Sequence, residues 1–237
     1  MRAALVLSFA CGLALAGAVP ASPQWTGSRI GRDANEGDVA AALQKAADCM
    51  VQRQPAKVEG WLATLPGTRE ESAHIDKMTE DAATCLGSDR HLVLAGKEVT
   101  FSPRTMRQLL AVAMANRALR ASPATPALDS EPQPWFAEAL GLLPRGTRLD
   151  VQALAMGDFG HCMAVRDWAA SRALLFSAPE SSDERAALKR LMPSLGPCLT
   201  EDSKLTLTAG NIRAILAEPV YHLARGAAVS TRTQAAS

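Results

Sequence analysis

Apolar residues recur every three or four positions along most of the chain, a spacing typical of amphipathic helices rather than strands. The stripe is clearest near residues 39–50, 75–86, 106–114, 188–199 and 212–223. Only 4% of the residues are aromatic, so the core must consist mainly of Ala, Leu, Val and Met, which suits closely packed helices. The pattern predicts a mainly α-helical protein with at most very short β pieces.

The second half of this pattern repeats the first. A shift of 113 positions brings Cys49-Met50 onto Cys162-Met163, and Cys85-Leu86 onto Cys198-Leu199. The two cysteines of each half are therefore separated by the same 36 positions. Because the cysteines and the apolar stripes agree on one offset, we interpret the chain as two tandem units of about four helices each.

Helix starts occur at equivalent places in the two units. Thr68-x-x-Glu71 and Ser181-x-x-Glu184 are both capping boxes, in which a hydroxyl and a carboxylate accept hydrogen bonds from free backbone amides at a helix N-terminus. Pro55 and Ser102-Pro103 suit the first turns of two further helices.

Prolines inside the predicted helices indicate interruptions. Pro193 and Pro197 should break the third helix of the second unit before Cys198, because each removes a backbone hydrogen bond. Pro219 should likewise kink the last helix.

Each unit also contains a short piece with an extended pattern, at residues 99–101 and, after a shift of 106, at residues 205–208. The smaller shift implies about seven extra residues in the first unit. We expect these residues to form a loop at positions 91–97, and we hypothesise that the two extended pieces pair with each other across the units.

Changes in composition along the chain predict the boundaries of its segments. Residues 1–21 have the features of a secretory signal peptide: a charged start at Arg2, an uncharged apolar run and small residues before the cleavage site. The remaining boundaries are a polar linker at 22–37, the first unit at 38–120, a linker rich in Pro and Ala at 121–134, the second unit with a short leading helix at 135–225, and a disordered tail at 226–237.

The N-terminal segment has two other interpretations. An uncleaved membrane anchor is disfavoured because the apolar run is short and rich in Ala and Gly. Lipidation at Cys11 is disfavoured because the residues before it fit lipoprotein processing poorly, so we expect Cys11 to leave with the signal peptide. The mature chain is then expected in the periplasm or outside the cell, without a membrane span.

Export changes the expected state of the cysteines. Without Cys11, four cysteines remain in an oxidising compartment, and four allow three pairings. The repeat favours the pairs Cys49–Cys85 and Cys162–Cys198, because each unit then closes on itself. No C-x-x-C motif is present, which argues against a thioredoxin-type redox site.

The balance of charges limits the partners. Removal of Arg2 from the 25 Lys and Arg leaves 24, against 24 Asp and Glu, so the mature chain is neutral. A neutral chain without a basic tract is a poor nucleic-acid binder. We expect the partner to be an unknown envelope protein or a small ligand.

The sequence contains no motif that predicts chemistry. None of the four histidines has the spacing of H-x-x-x-H or H-E-x-x-H, and neither G-x-S-x-G nor a phosphate-binding glycine loop is present. His161 beside Cys162 resembles a metal or nucleophile pair, but adjacent residues of a helix do not face each other, and Cys162 is expected to be oxidised. We therefore predict no catalytic residue, no metal and no cofactor.

Arg107 and Arg213 hold the same place in the fourth helices of the two units. The structural interpretation is an ion pair or a bond to a buried carbonyl, since a guanidinium group suits such bidentate contacts. The functional interpretation is a pair of anion-binding sites, one in each unit.

The order of these features resembles that of uncharacterised exported proteins of Alphaproteobacteria, of the sphingomonad type. The features are the pattern C-M-V-x-R, a capped helix ending in Cys-Leu, and the run I-R-A-I-L-A-E-P-V-Y. The resemblance spans roughly residues 38–225. It implies an envelope location and a duplicated disulfide domain, and it carries no activity, ligand or catalytic residue.

Three functions are compatible with these observations. The first is a non-enzymatic periplasmic binding or interaction module. The second is a hydrolase that acts on envelope material through carboxylates that the sequence does not reveal, which a deep pocket holding two carboxylates would favour. The third is a structural or stress-related envelope protein.

Overall fold

The computed structural model describes residues 36–86, 92–94, 97–99, 102–122, 124–128, 132–199 and 207–235. Within these ranges the chain forms nine α-helices and two short strands, so the mainly helical fold is confirmed. In chain order the elements are α1 (Glu36–Arg53), α2 (Pro55–Leu62), α3 (Arg69–Leu86), β1 (Leu92–Leu94), β2 (Lys97–Val99), α4 (Pro103–Ala121), α5 (Ala137–Gly141), α6 (Val151–Arg166), α7 (Trp168–Phe176), α8 (Ser182–Cys198) and α9 (Ala209–Ala235).

We refer to α1–α4 as the first helical unit and to α6–α9 as the second. Their helix boundaries follow the offsets seen in the sequence. α7 and α8 begin 113 positions after α2 and α3, and α6 ends 113 positions after α1. α9 begins 106 positions after α4. The hydroxyl residues that precede the third and fourth helices therefore lie at matching places in the two units, whereas Pro55 and Pro103 of the first unit correspond to Trp168 and Ala209.

One buried cluster contains side chains from both units. α4 and α9 pack against each other more extensively than any other pair of described helices, so the two fourth helices form the centre of the core. Its most deeply buried large side chains are aliphatic or Met, as the composition predicted, and include Leu62, Leu110, Leu119, Met163, Leu174, Leu191 and Leu216. Trp61 and Trp168 are also buried in this cluster.

Both predicted disulfides are present. Cys49–Cys85 links the last turns of α1 and α3, and Cys162–Cys198 links the corresponding parts of α6 and α8. The Cα–Cα distance is 5.7 Å in each pair. Each bond closes a loop of 36 positions, which in the chain-entropy model stabilises the fold by about 3–4 kcal/mol.

The predicted break of α8 at its prolines is wrong. α8 continues through Pro193 and Pro197 to Cys198. Both prolines are exposed and, four positions apart, lie on one face of the helix. The two backbone carbonyls that lose a partner therefore lie on the solvent side, where water can satisfy them.

α9 also continues through its proline, for a different reason, and the kink expected at Pro219 stays a prediction. Pro219 is fully buried, and it deprives the carbonyl of Ile215 of its usual helical donor. Gly160 of α6 packs directly on that carbonyl: a Cβ atom at position 160 would lie 2.4 Å from Ile215 O. The glycine Hα therefore points at the freed oxygen, an arrangement suited to a weak C–H···O contact.

Three further segments differ from expectation or lie outside the described residues. In place of the loop expected at residues 91–97, β1 and β2 form an antiparallel hairpin with Leu92 opposite Val99. β2 pairs locally, whereas residues 100–101 and 205–206 are outside the described ranges, so pairing across the units stays a hypothesis. α9 extends to Ala235, so most of the segment predicted to be disordered is helical.

None of the described helices is both long and apolar enough to cross a membrane.

Candidate functional site at the junction of the helical units

The Arg107 side chain lies in the centre of the junction between the units, and the residue is 4% exposed. Its guanidinium group forms ion pairs with Glu71 of α3 at 2.8 Å and with Glu218 of α9 at 2.6 Å. It also donates to the carbonyl oxygens of Trp61, Leu62 and Thr64. Every nitrogen of the guanidinium group therefore has at least one acceptor inside the protein.

Arg213 has the corresponding position in the second unit. It forms an ion pair with Glu184 at 2.6 Å and donates to the carbonyl oxygens of Leu175 and Ser177 at 3.2 and 3.0 Å. It also binds the Ser177 hydroxyl at 3.0 Å. These acceptors stand 113 positions after Glu71, Leu62 and Thr64.

Each glutamate of these ion pairs also closes its capping box. Glu71 Oε2 accepts a hydrogen bond from Gly67 N at 2.7 Å, and Glu184 Oε2 accepts one from Glu180 N at 2.6 Å. In return, the hydroxyls of Thr68 and Ser181 accept from the backbone amides of the two glutamates at 3.2 and 3.1 Å. The same chain of contacts therefore joins the fourth helix, the third helix and the turn before it in both units.

These contacts match the structural interpretation of Arg107 and Arg213, in which each arginine forms an ion pair or binds a buried carbonyl. A ligand anion would have to displace a buried carboxylate from either guanidinium group. The anion-site hypothesis stays a prediction, and it now requires that the ligand displace one of these carboxylates.

Glu218 was not singled out by the sequence, although it is the second partner of Arg107. Burial alone would raise its pKa, but the charge and hydrogen bonds of Arg107, with His222 Nε2 also 3.9 Å from Glu218 Oε1, lower the pKa to about 2. Burial would lower the pKa of Arg107, yet Glu218 and Glu71 raise it above its ordinary value. Both groups are therefore charged across the physiological pH range.

An aromatic side chain covers this charged cluster. The ring of Trp135 stacks on His222 with centroids 4.4 Å apart, and the Arg107 guanidinium lies 5.7 Å from the Trp135 centroid. Trp135 belongs to residues 132–150, which lead into α6 and which we call the strap. The strap thus covers the point where the first and second units exchange charged contacts.

A cleft of about 410 Å³ opens beside this cluster. The turn before α3 and the starts of α4 and α6 form its walls, so three helix N-termini converge on it. Pro66, Pro103 and Ala153 supply apolar lining, and Arg104 and Asp150 form an ion pair within it. Both of these charged side chains are partly exposed, at 28% and 31%.

Asp150 is fixed by two contacts in this cleft. Its Oδ1 accepts from Ala153 N at 3.0 Å and caps α6, while Oδ2 faces Arg104. Burial alone would raise its pKa, but the hydrogen bonds from Arg104 and Ala153 together outweigh burial, so the pKa of Asp150 lies below its ordinary value. Arg104 also donates to Gln152 at 3.0 Å.

The cleft contains two carboxylates, but neither is arranged as an acid or base. Glu71 accepts hydrogen bonds from Trp61, Arg107 and Gly67, and Asp150 accepts from Arg104 and Ala153. Each carboxylate oxygen therefore already has a donor. A general base needs a lone pair that can reach the substrate, so this geometry suits binding better than proton transfer.

The remaining candidates for chemistry have structural contacts. His161 Nε2 lies 2.6 Å from Pro132 O, and its neighbour Cys162 is in a disulfide. Within the described ranges, no group of three or more His, Cys, Asp or Glu side chains is placed to hold a metal ion.

Comparison with known proteins gave no match: no family model, curated protein or solved structure resembles the chain significantly.

Proposed function

We propose that the protein is an exported, non-enzymatic binding module built from a duplicated helical unit, and that the cleft beside Arg104 is its ligand site. The observation that carries this proposal is the composition of the cleft. Both units contribute walls, and Arg104 and Asp150 remain partly exposed beside an apolar lining. Ligand-binding sites commonly combine apolar walls with a few placed polar groups.

The contrast between Arg104 and Arg107 supports this assignment. All the nitrogens of Arg107 are used inside the protein, whereas Arg104 is bound by the partly exposed Asp150 and the exposed Gln152. A ligand can exchange with such partners at modest cost, because exposed ion pairs contribute little net stability. Arg104 is thus the cation of this junction that is best placed to meet a ligand.

Export is supported by the signal-like residues 1–21 together with the two disulfides, which persist in oxidising compartments. Duplication is supported by the matching helix boundaries and by the matching contacts of Arg107 and Arg213. The periplasm, or the space outside the cell, is the location that fits these features.

A hydrolase is the second candidate, because the cleft does hold two carboxylates. It is less favoured because both carboxylates cap helices and are hydrogen-bonded on each oxygen. Hydrolysis of envelope material by the purified protein, abolished in Asp150→Asn with the fold intact, would favour the hydrolase over the binding module.

The binding proposal is tested by purifying the mature chain from the periplasm under native conditions and identifying bound small molecules by mass spectrometry. We expect a ligand that is lost in Arg104→Gln and retained in Arg145→Gln, a change at an exposed arginine outside the cleft. Equal recovery of the ligand from both variants would place binding elsewhere. Recovery of a protein partner instead, also sensitive to Arg104, would make the cleft an interaction surface.

A further inference from the structure

The strap covers the turn between α2 and α3 in the first unit. Asp150 N donates to Pro66 O at 2.8 Å, and a Cβ atom at Gly67 would lie 2.2 Å from Asp150 N. Phe136 of the strap packs with Leu65 of the turn and Leu154 of α6 in a small cluster of its own, where all three are buried. The strap and the turn are therefore in direct backbone and side-chain contact.

The equivalent turn of the second unit, residues 177–181, has a positive-φ residue at the same place, and among the described residues nothing corresponds to the strap there. Gly67 and Glu180 both have positive φ, at 84° and 63°, and both donate to the capping-box glutamate. Leu65 and Pro66 are buried, whereas their equivalents Ala178 and Pro179 are exposed. Phe176, next to this turn, is 40% exposed. The second unit thus exposes Phe176, Ala178 and Pro179 at the place where the first unit holds the strap.

The chain contains a second segment that resembles the strap. The strap begins Pro132-Gln133-Pro134-Trp135 and leads into α6, and residues 22–35 begin with Ser22 followed by Pro23-Gln24-Trp25 and lead into α1. Of the four tryptophans, Trp61 and Trp168 are in the core and Trp135 is in the strap, which leaves Trp25. Residues 22–35 lie outside the described ranges.

We propose that residues 22–35 are the strap of the second unit and pack across its α7–α8 turn, with Trp25 against Phe176, Ala178 and Pro179. This inference rests on the duplication in the proposed function and on cleavage that leaves Trp25 in the mature chain. Fourteen extended residues reach roughly 45–50 Å, which exceeds the diameter of a domain of this size. The segment can therefore reach the turn from wherever α1 begins.

Hydroxyl-radical labelling of the mature chain tests this inference, with Phe176 as the reporter. Phe176 should be labelled several-fold less in the wild type than in Trp25→Ala, and Trp25→Phe should restore most of the protection because it keeps an aromatic ring. Met192 is the internal control, since it is 58% exposed and lies three turns along α8 from this turn. Its labelling should be the same in all three chains.

Equal labelling of Phe176 in the wild type and Trp25→Ala would overturn the inference. Protection that disappears on dilution, together with a dimeric mass, would assign the occupant to a second copy and would also overturn the intramolecular strap. The ligand test at Arg104 is independent of this reporter, so loss of one result leaves the other interpretable.

Discussion

The networks around Arg107 and Arg213 share their local contacts with the preceding turn and differ most in one ion pair to the other unit. Each arginine binds the glutamate of its capping box and the carbonyls at the end of the second helix of its unit. Arg107 also binds Glu218 from the other unit, and the position of α4 that corresponds to Glu218 is Val112. One local motif therefore closes a turn in both units, and in the first unit it also joins the units together.

The largest effect is expected from removing these arginines one at a time. Arg107→Leu leaves Glu71 and Glu218 buried without their cation, which should cost about 3–5 kcal/mol in the free energy of unfolding. Arg213→Leu leaves only Glu184 in that state, so its loss should be smaller, about 1–3 kcal/mol. Urea unfolding of the oxidised mature chain measures both. Equal losses would mean that Glu218 adds nothing, and Arg145→Gln should stay within about 0.5 kcal/mol of the wild type.

The disulfides test whether the units are equivalent apart from this junction. Because both close loops of 36 positions, Cys49→Ala/Cys85→Ala and Cys162→Ala/Cys198→Ala should each lower the free energy of unfolding by about 3–4 kcal/mol. The same urea titration measures the two double variants side by side. A clear difference between them would show that the units depend unequally on their cross-links.

Acid should weaken the Arg107 network through Glu218. The pKa of Glu218 is about 2 in the fold, below its ordinary value of 4.5, so its contribution is complete above pH 4.5 and is lost as the pH falls toward 2. The loss should be on the order of 2–3 kcal/mol. Glu218→Gln should be less stable at neutral pH and should show a shallower loss over this interval. A pH series of thermal unfolding that gives parallel curves for the two chains would contradict this assignment.

The smallest effects are expected at the two positions of positive φ, and there the signs should be opposite. Gly67→Ala adds backbone strain and a Cβ atom that collides with Asp150 N, so it should cost about 2 kcal/mol. Glu180→Gly relieves strain at an exposed turn and should be neutral or stabilising by less than about 1 kcal/mol. Calorimetric melting temperatures of both variants decide the point. Destabilisation by Glu180→Gly would show that the second turn does not tolerate a more flexible backbone.

Local patterns in the sequence predicted most of the fold. Capping boxes and first-turn prolines placed the helix starts, and the spacing of 36 positions predicted both disulfides, because these signals depend on residues close together in the chain. Pro193 and Pro197 misled the prediction, since a helix accommodates a proline more easily where the freed carbonyl faces water, and exposure of a helix face is a tertiary property.

The junction could be predicted only in part. Arg107 and Arg213 were recognisable because they occupy equivalent places, and Glu71 and Glu184 because they complete capping boxes. Glu218 stands 111 positions from Arg107 and has no counterpart in the first unit, so no spacing or symmetry indicated it. The stacking of Trp135 on His222 and the convergence of α3, α4 and α6 on the cleft likewise depend on how distant helices cross.

The contact between Gly160 and the carbonyl of Ile215 limits which residues the second unit can accept at two positions. Any side chain at position 160 would push α6 away from α9, and the buried Pro219 leaves no helical donor to replace the contact. The first unit has Ala47 and Ala113 at the corresponding places, and neither demands such an approach. Position 160 and position 219 are therefore coupled, so that replacing Gly160 disturbs the α6–α9 contact that shields the carbonyl freed by Pro219.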